Sequence, residues 1–198
     1  MRRIISSFAT EVLLWFFRRN EVARFEGIIL TDTKQRPNRP PHFRDTLLAA
    51  LHLLKHSDPR RFNRVRQRLA WIASVTLSRH GLAEYQHETR ACAIDFIEPS
   101  PECDQEYLVG MYACTLVHEA THGVIQSRGI LYTPKLRFRI ERLCVREEQR
   151  FLIHLTITRP ELAERLYSEF DASRWKALWN ETPHERLRAQ IRRSILGE

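Results

Sequence analysis

The most informative segment of the chain is residues 116–123, which read Leu-Val-His-Glu-Ala-Thr-His-Gly. The segment contains the pattern H-E-x-x-H, in which His118 and His122 are four residues apart. On an α-helix, side chains four apart lie one above the other, and Glu119 lies one step around the helix. The spacing therefore predicts a helix that presents two imidazoles to one metal ion, with a carboxylate beside them.

The residues before this motif are almost all apolar. Residues 107–117 read Tyr-Leu-Val-Gly-Met-Tyr-Ala-Cys-Thr-Leu-Val, which is typical of a helix buried in the middle of a domain. Burial of two histidines and a glutamate in such a helix costs free energy unless they are paired or bound to something. A bound metal ion would offset that cost.

The motif resembles that of the zincin metallopeptidases. The resemblance implies that His118 and His122 are Zn²⁺ ligands and that Glu119 is the general base for a zinc-activated water in hydrolysis of a peptide or amide bond. The longer metzincin pattern is not met, because the residues after His122 run Gly-Val-Ile-Gln-Ser-Arg-Gly without a histidine. By resemblance to the gluzincin branch, the third ligand is a glutamate on the next helix.

A second helix is predicted soon after the motif. Gly129 marks a turn, and Thr133-Pro134 is typical of a helix start, with threonine as N-cap and proline at the first position. The helical pattern continues to about Leu155. Its apolar residues predict a wide buried arc, on which three glutamates fall.

These three glutamates are the candidates for the third ligand. Glu141 lies 19 residues after His122, faces the same way as Cys144 and resembles the gluzincin ligand best. Glu148 is the second candidate, although it would more naturally hold a ligand histidine in place or pair with a buried arginine. Glu147, nearer the edge of the arc, is the third. Alternatively, all three are ordinary helix glutamates with arginine partners.

Length and composition indicate a soluble globular protein. The 198 residues, 43% hydrophobic and 28% charged, suit one domain, with an N-terminal helix at 1–20 and a C-terminal helical extension at 158–198. The net charge of +8 favours anionic partners. No nucleic-acid-binding motif accompanies this positive charge, so we expect a peptide or protein substrate rather than nucleic acid. That substrate would be acidic if the positive charge of the protein attracts it. The arginines between residues 60 and 68 are interpreted as the solvated side of a helix.

The four cysteines indicate a reducing compartment. They are Cys92, Cys103, Cys114 and Cys144, and they show neither C-x-x-C spacing nor a disulfide framework. Cys114 and Cys144 lie in apolar helical patterns, where a thiol behaves as a small hydrophobe. We therefore expect a cytoplasmic location.

The N-terminus begins with a positive Met1-Arg2-Arg3 and an apolar run over residues 4–17, which is similar to a signal peptide. Glu11 interrupts the run and no small-residue cleavage site follows it. The apolar run therefore predicts an amphipathic helix that covers the core of the domain. The alternative is a peripheral membrane contact through the same helix, helped by aromatic residues and arginines at 15–19.

Three segments are typical of strands: residues 25–31, 71–77 and 91–97, of which 71–77 could equally continue the preceding helix. By resemblance to zincins, 91–97 would be the edge strand that pairs with extended substrate along the cleft. Helices are predicted at 45–55 and after Asp58-Pro59. His52 and His56 are also four apart but lack a glutamate at the base position, so they are interpreted as surface or packing residues.

Three side chains are candidates for the donor that stabilises the oxyanion in zincin catalysis: Tyr132, Tyr167 and His184. Nothing in the sequence selects among them.

The sequence therefore predicts an α+β, zincin-like fold: a small, mostly antiparallel sheet carrying a helix pair, with Zn²⁺ held between the active helix and the next and with further C-terminal helices. Two alternatives to a hydrolase remain. One is an inactive zincin-like binding or regulatory module that keeps the metal. The other is a basic protein without metal that binds an anionic partner, in which His118, Glu119 and His122 form a buried polar cluster.

Overall fold

The computed structural model describes residues 2–34, 42–77, 82–101 and 103–169. Among the described residues, one helix, two strands, two helices and three strands follow in order, and three helices come after the last strand. The helices are α1 (Arg2–Arg19), α2 (His42–Ser57), α3 (Pro59–Arg68), α4 (Gln105–Ser127), α5 (Arg137–Thr158) and α6 (Pro160–Glu169). The strands are β1 (Glu21–Phe25), β2 (Ile28–Asp32), β3 (Trp71–Ser74), β4 (Ala83–Gln86) and β5 (Ala91–Ile94).

The five strands form one sheet in the order β1-β2-β3-β5-β4. The expected α+β class is confirmed, but the sheet is mixed rather than mostly antiparallel. The two outer pairings, β1 with β2 and β4 with β5, are antiparallel, and the two inner pairings are parallel. Parallel neighbours need a long crossover, and α2 and α3 supply it between β2 and β3. β3 and β5 are buried along their whole length, as central strands are.

The strand expected at 25–31 is in fact a hairpin. Glu26 and Gly27 both have positive φ angles, 47° and 89°, and they form the turn between β1 and β2. Positive φ at both central residues matches the twist of the flanking strands, which is why such turns close hairpins. Glu26 and Gly27 interrupt the apolar residues at this point, and a glycine between two apolar runs was the available signal for the turn.

The edge strand beside the cleft was predicted wrongly. The segment expected at 91–97 contains β5, which pairs with β3 on one side and with β4 on the other. Within the described part of the chain, β4 pairs with β5 alone and forms that edge of the sheet. The chain folds back between them at Arg90, which has a φ of 54° and donates its N–H to the carbonyl of His87.

α4 lies at the centre of the fold, as its apolar sequence predicted. It packs against α2, α3, α5, α6 and β4. Asp104 begins it, since its Oδ1 accepts the N–H of Tyr107 at 2.8 Å. Tyr112 and Leu116 on α4 are fully buried with Leu51 of α2 and Phe151 of α5. The core therefore surrounds the helix that carries the H-E-x-x-H motif.

One charged cluster joins α3 to α5, and we call it the arginine network: Asp58, Arg61, Arg64, Glu147 and Arg150. Asp58 begins α3 as predicted, and its Oδ1 accepts the N–H of Arg61 at 3.0 Å. The Arg61 guanidinium pairs with Asp58 and lies 3.2 Å from Glu147 Oε2. Arg64 and Arg150 also donate to Glu147, at 2.6 and 2.5 Å. Arg61 is 7% exposed, so the interpretation of this run as a solvated face is wrong for that residue.

α1 covers part of the sheet, as expected. Phe17 packs on Trp71 with ring centroids 5.6 Å apart, while Val12, Trp15 and Phe16 are exposed. A membrane contact through these exposed side chains stays a prediction. No helix among the described residues has the length and apolar character needed to cross a bilayer.

Two further expectations have simple outcomes. His52 and His56 are exposed, and the ring of His52 packs edge-on against Phe25. All four cysteines are free thiols. In the helical extension predicted at 158–198 the structure describes α6, and residues 170–198 lie outside the described residues.

Candidate metal centre

α4 places His118 and His122 on successive turns of one face, as the motif predicted. Their ring centroids are 4.9 Å apart. His122 is 9% exposed and His118 is half-buried. The two imidazoles therefore line one recess between α4 and α5.

α5 brings a carboxylate to both imidazoles. Glu141 Oε2 lies 3.1 Å from His118 Nε2 and 3.7 Å from His122 Nε2. The other oxygen, Oε1, accepts a hydrogen bond from the Tyr132 hydroxyl at 2.5 Å. The chain turns back between the two helices at Gly129, whose φ is 77°.

α5 begins three residues later than predicted. Its first residue is Arg137 rather than Pro134, because the Thr133 carbonyl accepts the N–H groups of Leu136 and Arg137 and closes a turn first. The shift leaves the predicted buried arc intact. Glu141 and Glu148 are 9% and 5% exposed.

The three candidate glutamates have different partners. His118 Nδ1 shares a short hydrogen bond with Glu148 Oε1, which is the arrangement expected for a residue that holds a ligand histidine in place. His118 is thereby fixed at both ring nitrogens, by Glu148 on one side and Glu141 on the other. Glu147 lies one step around the helix in the arginine network, and its ion-pair partners are Arg61, Arg64 and Arg150.

A cysteine completes the group. One donor atom from each of His118, His122 and Cys144 lies within 4.8 Å of the other two, so these three side chains could hold a metal ion. No other group of this kind occurs among the described residues. The sequence had suggested only a buried hydrophobe at Cys144. The available signal was its spacing of three from Glu141, which puts both side chains on one face.

Burial and negative charge dominate the electrostatics of the carboxylates. Burial, reinforced by Glu141 and Glu148, raises the pKa of Glu119 to about 7, although His118 opposes the shift. Burial also raises the pKa of Glu148. Burial opposes ionisation of Glu141 too, but hydrogen bonding to His118 and the charges of both histidines lower its pKa to about 2.

The pKa values of the two histidines shift in opposite directions. Burial disfavours the charged form of His118, but Glu148 and Glu141 outweigh it and raise the pKa. Burial and the charge of His118 lower the pKa of His122 to about 4, so its imidazole is neutral at pH 7. Burial, with the nearby carboxylates, also raises the pKa of the Cys144 thiol.

The carboxylates of this centre have no arginine or lysine ion-pair partner among the described side chains, although Arg137 lies beside Tyr132. These carboxylates belong to Glu119, Glu141 and Glu148. Two imidazoles, carboxylates and a thiol in a buried recess form a donor set that suits zinc, which binds nitrogen, oxygen and sulfur ligands. The side chains therefore fit the Zn²⁺ that the motif implied.

The edge strand β4 lies against the same helix. Gly123, next to His122, faces the Tyr85 ring, and a Cβ there would stand 3.0 Å from Tyr85 Cζ and 3.1 Å from Arg68 Cβ. A larger residue would require the Tyr85 ring and Arg68 to shift by a few tenths of an ångström. Glycine at this position therefore lets the edge of the sheet approach the turn of α4 that carries His122.

Of the three candidate oxyanion donors, Tyr132 is at the centre. Its ring centroid is 5.6 Å from that of His122, and the side chain is 43% exposed. Tyr167 instead donates its hydroxyl to the Gln149 carbonyl at 3.3 Å. His184 lies outside the described residues.

No protein-family model matches the chain, and neither the curated proteins nor the solved structures contain a significant match. The resemblance to zincins therefore rests on the H-E-x-x-H motif alone.

Proposed function

We propose that this protein is a zinc-dependent hydrolase of peptide or amide bonds, with His118, His122 and Glu141 as zinc ligands and Glu119 as general base. The supporting observation is that Glu141 Oε2 lies 3.1 and 3.7 Å from the two imidazole Nε2 atoms. In a tetrahedral zinc site with bonds of about 2.0–2.1 Å, donor atoms are about 3.3 Å apart. Glu141 Oε2 therefore lies about as far from each imidazole as one zinc ligand lies from another.

Zinc, when bound, would lower the pKa of a water molecule to about 7 and polarise a substrate carbonyl. Glu119 is suited to the proton transfers that accompany such chemistry, because its pKa of about 7 lies near neutral pH. Its carboxylate would accept a proton and pass it to the leaving nitrogen.

Glu148 and Tyr132 would support this arrangement. The hydrogen bond between Glu148 and His118 Nδ1 fixes the imidazole so that Nε2 faces the metal. Tyr132 holds Glu141 through Oε1, which leaves Oε2 toward the histidines. Tyr132 is also the candidate donor to a developing oxyanion, and its single hydroxyl hydrogen would have to leave Glu141 to serve there.

β4 would hold the substrate. It is an edge strand that lies beside α4 at Gly123, so an extended peptide added to that edge would pass close to His122. This role replaces the one expected for residues 91–97. The net charge of +8 would favour an acidic peptide during encounter.

The test is to measure zinc content and peptide cleavage in the wild type and in Glu119→Gln. We expect about one zinc per molecule in both, and a loss of cleavage of about 10²–10⁴-fold in the variant, since it lacks the base. Glu106→Gln is the matched control, because Glu106 is an exposed glutamate in the first turn of the same helix. It should cleave as the wild type does.

Two results would reject the proposal in different ways. Wild type that binds zinc but cleaves no member of a peptide library would be a binding or regulatory module. Wild type that is folded and binds no zinc would be a basic protein with a buried polar cluster.

A further inference from the structure

Cys144 lies where a metal ligand would lie, and the proposed hydrolase has no use for it. It is fully buried on α5, one turn after Glu141. Side chains three apart on a helix share a face, so the thiol and the Glu141 carboxylate are directed to the same side. That side is occupied by His118 and His122 of α4.

The separations are close to those of a bound site. The donor atoms of Cys144, His118 and His122 all lie within 4.8 Å of one another. Zinc bonds of about 2.3 Å to sulfur and 2.0 Å to nitrogen bring such atoms to about 3.5 Å in a tetrahedron. A contraction of about 1 Å between α4 and α5 side chains would therefore place sulfur in the coordination sphere.

We propose that Cys144 is a fourth protein ligand, so that two imidazoles, one carboxylate and one thiolate close the metal centre in its resting state. This inference rests on the proposed zinc site and adds a form of regulation to it. Catalytic zinc sites keep one position open, whereas sites with four protein ligands are closed. Hydrolysis would then require that Cys144 give up this position to water when substrate binds, which converts the closed resting centre into an open one.

A thiolate also limits which metals the centre accepts. Sulfur ligands favour zinc and cobalt over magnesium, calcium and manganese, which prefer oxygen. Substitution of Cys144 should therefore weaken binding of zinc more than binding of manganese.

The test uses the full chain loaded with Co²⁺, because a cobalt–thiolate bond gives a charge-transfer absorption in the near ultraviolet that nitrogen and oxygen ligands do not give. We expect this band in the wild type and its loss in both Cys144→Ala and Cys144→Ser. Cys92→Ala is the matched control, since Cys92 is an equally buried thiol on β5, and it should keep the band. Cys144→Ala should still bind one zinc, with affinity at least about tenfold weaker.

The wild-type spectrum decides the matter even if a variant fails to fold. Stoichiometric cobalt without the charge-transfer band would overturn the role of Cys144 and leave the proposed hydrolase intact. The same band in a folded Cys144→Ala would also overturn it. Folded wild type that binds neither cobalt nor zinc would overturn both proposals together.

Discussion

Two acidic clusters lie next to each other on α5, and they are neutralised in different ways. Glu147 belongs to the arginine network, where Arg61, Arg64 and Arg150 surround it. Glu148, the next residue, belongs to the metal centre, where its ion-pair partner is His118. Although the two residues are adjacent in sequence, Glu147 pairs with arginines that are always charged, whereas Glu148 pairs with an imidazole that can lose its proton.

This difference shows which of the two clusters would be stabilised by a bound metal ion. The arginine network is complete at any pH at which its acids are ionised, because arginine stays charged. The metal centre has three buried carboxylates, Glu119, Glu141 and Glu148, and His122 contributes no charge at neutral pH. Without a bound cation, burial favours the protonated forms of Glu119 and Glu148, and a divalent metal would favour their ionised forms.

Arg61→Ala should produce the largest change in stability. It leaves the buried Asp58 without its arginine, while Glu147 keeps Arg64 and Arg150, and we expect a loss of about 3–5 kcal/mol of unfolding free energy. Urea unfolding of the metal-free protein measures the loss. Arg66→Ala, an exposed arginine on the same helix, should cost less than about 0.5 kcal/mol. Equal effects of the two variants would show that the network contributes little.

The two clusters should respond to pH with opposite signs. The pKa of Glu119 is raised by burial from 4.5 to about 7, so the folded state holds the proton more tightly than the unfolded state. Stability present below pH 4.5 is therefore lost as the pH rises toward 7, by about 3 kcal/mol at 1.36 kcal/mol per unit. Glu147 behaves in the other way: its arginines lower its pKa, so its contribution is lost as the pH falls below its ordinary value.

Chemical unfolding of metal-free wild type and Glu119→Gln between pH 4.5 and 8 measures the first effect. The wild type should lose about 3 kcal/mol relative to the variant over that range, and saturating zinc should remove the loss because the cation favours the carboxylate. A difference that does not change with pH would mean that Glu119 titrates in its ordinary range.

The smallest expected effect compares the adjacent glutamates. Glu148→Gln should weaken zinc binding by about 10–100-fold, because it removes the carboxylate that orients His118. Glu147→Gln should leave the zinc affinity of the folded protein unchanged, although it lowers stability. Competition with a chelator measures both affinities. An equal loss in the two variants would indicate that general destabilisation, not orientation of His118, is responsible.

The local parts of the site could be predicted from the sequence. The positions of His118, His122 and Glu119 follow from a helical spacing of four, and the buried positions of Glu141 and Glu148 follow from the periodicity of α5. The caps at Asp58 and the turn at Gly129 were likewise predicted, because they depend on a few neighbouring residues.

The remaining parts depend on contacts between distant segments. The sheet edge was predicted at residues 91–97 but is formed by β4, because strand pairing decides which strand is outermost. β4 has only four residues and shows little alternation of apolar and polar residues. Arg61 is buried because α5 brings Glu147 to it. Cys144 joins the histidines only when α4 and α5 pack, so its sequence context indicated no more than an apolar position.

Isothermal titration calorimetry of the metal-free protein with zinc distinguishes a metal centre from a cluster that is neutralised by protons alone. We expect about one zinc per chain for the wild type, with protons released on binding, and no measurable binding for a His118→Gln/His122→Gln variant that stays folded. Folded wild type that takes up no zinc near neutral pH, or a double variant that binds it equally well, would contradict the assignment of these two histidines to a metal.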